Sequence, residues 1–246
     1  MRIPARWSDA SLYWETLRNY VTIEKPLHER QVTFLVEPPR SGHRHHCTVQ
    51  DTMRVLEMLP PAHVEWLDLV VFRQPTAKQN ALAPVWGRLA YWSEIGTHSG
   101  TGIFLDAQPV DLVMKWGTSL RPEDQTELER LRNAGFRVEP HSRGYRIHST
   151  PEAIRASQLF ETLPHEVGHY VDYMAARATY EWGGDDGRFW ELYDGKPSRD
   201  KEAFAHRYAA DFRRSAESER RIPFPQAYDP DSIRQDGLDP TWFAQI

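Results

Sequence analysis

The chain has 246 residues, of which 40% are hydrophobic and 26% are charged, and its net charge is −5. This composition is typical of a globular protein rather than a disordered one. The length suits one large domain or two small ones, and of these we expect a single domain over residues 1–246. The arginines are dispersed among acidic residues without forming a basic stripe, which argues against nucleic acid as a partner.

Nothing in the sequence indicates export or a membrane location. The single cysteine, Cys47, cannot form an internal disulfide, so an oxidising compartment is not required. Residues 1–20 contain no apolar run of signal-peptide length, and no later segment approaches the length of a membrane span. We therefore expect a cytoplasmic protein with no membrane partner.

The first half of the chain, residues 1–150, is expected to carry a small mixed sheet. Apolar runs predict strands over residues 31–37, 64–72, 85–92 and 102–107, and helical periodicity predicts a helix over residues 52–59. A polar helix over residues 121–135 should end at Gly135, where glycine suits a left-handed cap. The segment after it favours a hairpin that turns near Arg143 and Gly144.

Residues 151–221 are predicted to be mostly helical, which gives an α+β fold class. Thr150 suits the N-cap of a helix whose first residue is proline, because proline loses no hydrogen bond there. This helix would run to about Ala178, and Pro164 should kink it or restart it. The tail, residues 222–246, contains four prolines and is expected to form an extended strap.

The stretch LPHEVGHYVDYM places two histidines four residues apart, with a glutamate directly after the first. At about 100° per residue, one side of the predicted helix carries an apolar set: Leu163, Val167, Tyr170, Val171, Met174 and Ala178. His165 and His169 project from the opposite side, about 40° apart around the helix. Glu166 lies at their flank, and Gly168 leaves the surface open nearby. Both imidazoles can therefore reach one ion.

This spacing indicates a zinc site with a catalytic role. Zinc accepts neutral imidazole nitrogens, and one helical turn places two of them at adjacent corners of a tetrahedron. Glu166 cannot easily ligate the same ion, but it can reach a water bound there, which is the placement of a general base. The alternative is a structural helix that carries two histidines by chance, although such a pair would more often lie on the apolar face or in a polar loop.

A catalytic zinc site usually has three protein ligands, so a third must come from elsewhere in the chain. The metzincin continuation requires glycine and histidine where this chain has Asp172 and Ala175, which excludes that class. A further helix, capped by Ser198, is predicted over residues 197–212. One face of it carries four residues: Glu202, Ala205, His206 and Ala209. Its alanines allow close packing, and both its glutamate and its histidine are acceptable zinc ligands.

The segments HEVGHYVDY and EAFAHRYAADF resemble the zinc motif and the glutamate helix of the anthrax-lethal-factor-like metallopeptidases, which belong to the gluzincin class. In that family the second histidine is likewise followed by a Val-Asp pair, here Val171 and Asp172. The resemblance covers about residues 154–212.

The resemblance implies a zincin-like fold and a zinc metallopeptidase that acts on a protein or peptide substrate. It implies that Zn²⁺ is held by His165, His169 and Glu202. Glu166 would then be the catalytic residue, as the general base that activates a water on the metal.

Three further features of the family have only a loose match, or none, in this sequence. Toxins of this kind carry export signals or delivery domains, which we do not see, so a toxin role is not expected. They also place a tyrosine shortly before the glutamate helix to steady the transition state; Tyr193 matches loosely, and packing is an equally good interpretation. In gluzincins an edge strand beside the zinc helix pairs with an extended peptide, and Ile103–Asp106 is one candidate for that edge, with a core strand as the ordinary interpretation.

Two other functions stay open. His206 lies one turn beyond Glu202 and would complete the site in an SprT-like protease, which has HExxH plus a histidine. The chain would otherwise be a zinc-stabilised regulatory or interaction protein that cleaves nothing. The intact Glu166 favours activity, because a purely structural zinc site needs no base.

Two further motifs receive a structural interpretation. His43 and His45 to Cys47, in the stretch HRHHC, offer zinc-ligand types, but nothing recognisable completes a second metal site. Gly183–Gly187, in the stretch GGDDG, lacks the ligand spacing of a calcium loop and is interpreted as a turn between the two zinc-bearing helices.

Overall fold

The computed structural model describes residues 17–77, 79, 86–180 and 186–246. The strands are, in chain order, β1 (Val21–Leu27), β2 (Arg30–Val36), β3 (His43–Arg44), β4 (Leu69–Arg73), β5 (Gly87–Ile95), β6 (His98–Asp106), β7 (Gln108–Pro109), β8 (Val113–Trp116), β9 (Arg137–His141) and β10 (Gly144–His148). The helices are α1 (Val49–Leu56), α2 (Pro61–Val64), α3 (Pro122–Asn133), α4 (Pro151–Ser157), α5 (Leu163–Thr179), α6 (Asp186–Asp194), α7 (Ser198–Ser218) and α8 (Pro230–Gln235). The expected α+β class is confirmed, because a mixed sheet in the first half is followed by helices in the second.

The main sheet has five strands in the order β1-β2-β4-β6-β5. β2, β4 and β6 are parallel, whereas β1 and β5 pair antiparallel with their neighbours. β5 is therefore an edge strand and β6 lies inside the sheet. The interpretation of Ile103–Asp106 as a peptide-binding edge is wrong, because Ile103 pairs with Val70 of β4 on one side and with Leu89 of β5 on the other.

A smaller antiparallel sheet has the strand order β8-β10-β9, and α3 packs against it. The predicted hairpin is confirmed, and Gly144 has the positive φ of 133° that the turn after Arg143 requires. Gly135 ends α3 with a φ of 93°, as expected of a left-handed cap. Leu128 and Leu131 of α3 pack on this sheet in a separate hydrophobic core that also includes residues of α4.

The largest hydrophobic core lies between the main sheet and the helices that cover it. Phe34, Val70 and Ile103 come from the sheet, and Leu163 and Val167 come from α5. All five side chains are buried, because the sheet and the helices that cover it pack against each other here. This contact places α5 directly against the sheet, beside the edge strand β5.

A π-helical segment, Gln158–Thr162, connects α4 to α5. Pro164 is expected to kink or restart the helix; the backbone at Thr162 and Leu163 stays helical, and α5 begins at Leu163 with the proline in its first turn. The predicted apolar side of the helix is only partly correct. Leu163, Val167 and Tyr170 are buried, but Met174 is 41% exposed and Ala178 is exposed.

The C-terminal tail is less extended than expected. It contains α8 and a 3₁₀ turn, Pro240–Trp242, and a proline occupies the first position of each. Both are capped by an aspartate, Asp229 and Asp239 respectively. Across the described residues, every helix is too short or too polar to cross a membrane.

Candidate metal centre

Three potential ligand atoms converge where α5 crosses α7. His165 Nε2 and His169 Nε2 are 3.0 Å apart. On α7, Glu202 places one carboxylate oxygen 3.3 Å from His165 Nε2 and the other 3.5 Å from His169 Nε2. Among the described residues, this is the cluster of histidine, cysteine and carboxylate side chains whose ligand atoms all lie within 4.8 Å of one another. The arrangement brings together the three residues that the sequence predicted as ligands.

The spacing of these atoms fits a tetrahedral metal ion. Ligand bonds of about 2.0–2.1 Å at tetrahedral angles separate neighbouring ligand atoms by about 3.3 Å, and the three distances here range from 3.0 to 3.5 Å. Two imidazoles and a carboxylate are also a ligand set that zinc accepts. The two distances to Glu202 involve different carboxylate oxygens, so the fit to zinc rests on the ligand types and on the close approach of the three side chains.

The carboxylate of the site is held ionised. Hydrogen bonds from His165 and His169 keep the pKa of Glu202 far below its ordinary value. Burial opposes protonation of His169, but Glu202 and the neighbouring carboxylates Glu166 and Asp172 outweigh it and raise the pKa of that imidazole. The local charge balance therefore favours a cation between the three side chains.

Close packing of two small residues brings α7 near enough to present Glu202. A Cβ atom built on Gly168 would lie 3.0 Å from both Ala205 Cα and Tyr208 Cβ. Ala205 is fully buried, as the predicted alanine face requires. The expectation that Gly168 leaves the surface open is wrong, because its missing side chain is filled by α7. The predicted cap at Ser198 is also wrong, since Pro197 precedes α7 without a side-chain cap.

We expect Gly168→Leu to destabilise the protein by about 1–3 kcal/mol, because the larger side chain must push α7 away from α5. For a chain of this size each kcal/mol lowers the melting temperature by about 2–4 °C, which thermal unfolding measures. Ala175→Leu, at an exposed position of the same helix, is the control and should leave the melting temperature nearly unchanged. Equal melting temperatures for the two variants would contradict this account of the helix crossing.

Glu166 lies beside the ligands but faces the edge strand. Its side chain is buried, and its Oε2 accepts a hydrogen bond of 2.7 Å from the backbone N–H of Leu89 in β5. Burial raises the pKa of this carboxyl group, while the two histidines and the Leu89 N–H act in the opposite direction. A raised pKa brings a carboxylate closer to the range in which general bases work at neutral pH.

A cavity of about 440 Å³ opens next to His165 and Glu166. Its lining includes Trp86 just before β5, Gly87 at the start of β5, and three residues of α7: His206, Ala209 and Ala210. Arg130 of α3 and Arg213 of α7 form part of the wall, and both pair with Glu161 of the π-helical segment. Volumes of this order hold a side chain or a small molecule.

His206 lies close to the ligands without joining them. Its ring centroid is 4.5 Å from that of His165, yet it is not a member of the three-residue cluster. Burial, followed by the charge of His165, lowers the pKa of this imidazole. His206 therefore lines the cavity as a largely neutral group.

Tyr193 packs beneath α5. Its ring is buried among Tyr170, Tyr173 and Phe189, and its hydroxyl donates to Asp172 Oδ2 at 3.1 Å. Burial raises the pKa of this phenol, which keeps it protonated as a donor. Of the two interpretations of Tyr193, packing matches these contacts, and the hydroxyl is directed to Asp172.

The remaining sequence motifs do not add ligands to the site. His45 and His46 are buried, and burial lowers the pKa of each to about 4. His45 Nε2 bonds the carbonyl oxygen of Glu37, and Cys47 is buried in the main core. Residues 183–185 of the GGDDG stretch lie outside the described residues, and Asp186 and Gly187 begin α6.

Two contacts of the site were not found from the sequence. The Leu89 N–H is a backbone group, which a side-chain pattern does not reveal. Lys196 Nζ lies 2.6 Å from both carboxylate oxygens of Asp172, and the two residues are too far apart in sequence to suggest a pair.

No family model, curated protein or solved structure matches this chain. The chemistry of the site is therefore inferred from its own residues.

Proposed function

We propose that this protein is a zinc-dependent metallopeptidase of the gluzincin type, which hydrolyses peptide bonds in a protein or peptide substrate. The observation that carries the proposal is the convergence of His165, His169 and Glu202 within 4.8 Å beside a buried glutamate. Two histidines one helical turn apart and a carboxylate from another helix are a three-ligand set that leaves one tetrahedral position for water or substrate.

The metal would be held by the two imidazole nitrogens and the Glu202 carboxylate. Zinc bound there supplies a Lewis acid for the scissile carbonyl and lowers the pKa of a water toward about 7. Glu166 takes the proton from the attacking water and returns it to the leaving amine. Because its Oε2 accepts the Leu89 N–H bond, Oε1 is the oxygen left for this proton.

Zinc content tests the first part of the proposal. Protein purified without added metal is expected to contain about one zinc per chain, because the ligand atoms are already gathered in the folded protein. Elemental analysis after gel filtration measures this ratio. A metal-free protein that takes up no zinc on titration would contradict the proposed function.

The cavity beside His165 and Glu166 supports hydrolysis over a purely structural zinc. A structural site is closed, with four protein ligands, whereas a catalytic site has three and keeps a position open. Three ligands of this site lie in the described part of the chain, and the open space next to them is large enough for part of a substrate.

A further inference from the structure

Two contacts hold α5 and the start of α7 together, on either side of His169 and Glu202. Toward the start of α5, Gly168 packs against Ala205. About one turn further along α5, Asp172 binds Lys196, which lies in the short connection before α7. On α5, His169 lies between Gly168 and Asp172. In the second segment, Glu202 lies between Lys196 and Ala205. The position of the third ligand is thus defined from both sides.

The Asp172–Lys196 pair is buried on the carboxylate side and closely hydrogen-bonded. Asp172 is 6% exposed, and its two oxygens are each 2.6 Å from Lys196 Nζ. The Tyr193 hydroxyl donates a further hydrogen bond to Oδ2. A buried carboxylate without partners is costly, so these contacts hold the connection before α7 against α5.

The other contacts described for the first turn of α7 are long, since Lys201 Nζ lies 3.4 Å from the carbonyl oxygens of Tyr193 and Asp194. Pro197 occupies the N-cap position and offers no side-chain hydrogen bond to the free N–H groups of the helix. Glu202 lies in the second turn, and its side chain is 53% exposed, so packing around it does not fix its position. The Lys196 tether therefore acts together with the Gly168–Ala205 packing to set where this carboxylate lies.

We propose that Lys196 and Asp172 are positioning residues that place Glu202 against His165 and His169. This inference rests on the proposed function, since it concerns the zinc site named there. Neither residue belongs to the three-residue ligand cluster, and their effect passes through the start of α7. Loss of the pair would leave two histidine ligands in place and release the carboxylate.

The test is the zinc affinity of Lys196→Met, measured by competition with a chromophoric chelator. We expect the dissociation constant for zinc to rise about 10- to 100-fold, as is typical when a residue that supports a ligand is lost. The sign of the change in zinc affinity distinguishes a positioning effect from a charge effect. Removing a positive charge near the site would by itself strengthen the binding of a cation, so charge and positioning predict opposite signs.

Lys201→Met is the matched control, because Lys201 adjoins Glu202 and its ammonium makes its contacts to α6: the carbonyl oxygens of Tyr193 and Asp194, at 3.4 Å, and the Tyr193 ring, 5.2 Å from its centroid. It should change the affinity by no more than about threefold, within what one partly exposed charge contributes. Lys196→Arg retains a cation for Asp172 and should restore most of the affinity. The visible spectrum of the cobalt-substituted protein should change in Lys196→Met and not in Lys201→Met, because the ligand set changes only in the first.

The outcomes separate this inference from the proposed function. Tight zinc binding that Lys196→Met leaves unchanged, or an equal loss in Lys201→Met, would overturn the positioning role alone. Wild-type protein that binds no zinc would overturn both. The expected affinity ranking together with no hydrolysis of any peptide would overturn the proposed peptidase and leave the positioning role supported.

Discussion

Glu166→Gln is expected to keep its zinc and lose peptide hydrolysis by about 10²- to 10⁴-fold, the range that a general base contributes. The amide has nearly the shape of the carboxylate, and its oxygen can still accept the Leu89 N–H bond. What it cannot do is take a proton from water. The turnover of a mixed peptide library, followed by mass spectrometry, measures the loss, and elemental analysis checks that zinc stays at the wild-type ratio.

Glu152→Gln provides the control for this experiment, because Glu152 is an exposed glutamate of α4 away from the ligands. It should cleave the library at the wild-type rate. If Glu166→Gln also cleaved at that rate, the assignment of the base would be wrong. If neither wild type nor variant cleaved anything, the remaining candidate would be a zinc-binding regulatory or interaction protein, and a comparison of cleaved termini across a whole proteome decides between these cases.

The strands could be predicted where an apolar run has no competing interpretation. Residues 31–37 correspond closely to β2, whereas the predicted strand 64–72 is too long, since Val64 belongs to α2 and β4 begins only at Leu69. Sequence periodicity carries no information about which strand lies at an edge. That order depends on non-local pairing, so the sequence does not show that β5, rather than β6, occupies the edge.

The apolar side predicted for α5 is correct where this helix packs on the sheet and wrong further along the helix. Leu163 and Val167 are buried because the sheet covers that part of α5. Met174 and Ala178 continue the same apolar side, but they are exposed, and Tyr173 is buried instead by aromatic residues of α6. A helix that changes its packing partner along its length also changes its buried side. A helical-wheel projection assumes one buried side for the whole helix and cannot show this change.

The candidate site could be predicted to the extent that it is local. His165, Glu166 and His169 lie within one helical turn, so their relative placement follows from helix geometry alone. The approach of Glu202 depends on Gly168 and Ala205, which the sequence indicates only as small residues. The contacts that hold Glu166 and Asp172 come from a backbone N–H of β5 and from Lys196, and both require the tertiary structure.

Glu202→Ala is expected to weaken zinc binding by at least about 100-fold, which exceeds the 10- to 100-fold effect typical of residues that only support a ligand. The reason is the ligand count, because the variant keeps two imidazoles and loses the oxygens that lie 3.3 and 3.5 Å from their nitrogens. His206→Ala should change the affinity by less than about tenfold, since His206 contacts the ring of His165 and lies outside the ligand cluster.

Competitive chelator titration of the two variants at one pH gives this ranking directly. Glu202→Gln serves as a control, because it keeps the shape of the side chain and removes the charge that the two histidines stabilise. An intermediate affinity for Glu202→Gln would show that charge as well as coordination matters. The reverse ranking, with His206→Ala the weaker binder, would make His206 the third ligand and would leave the pair of His165 and His169 intact but the gluzincin assignment wrong.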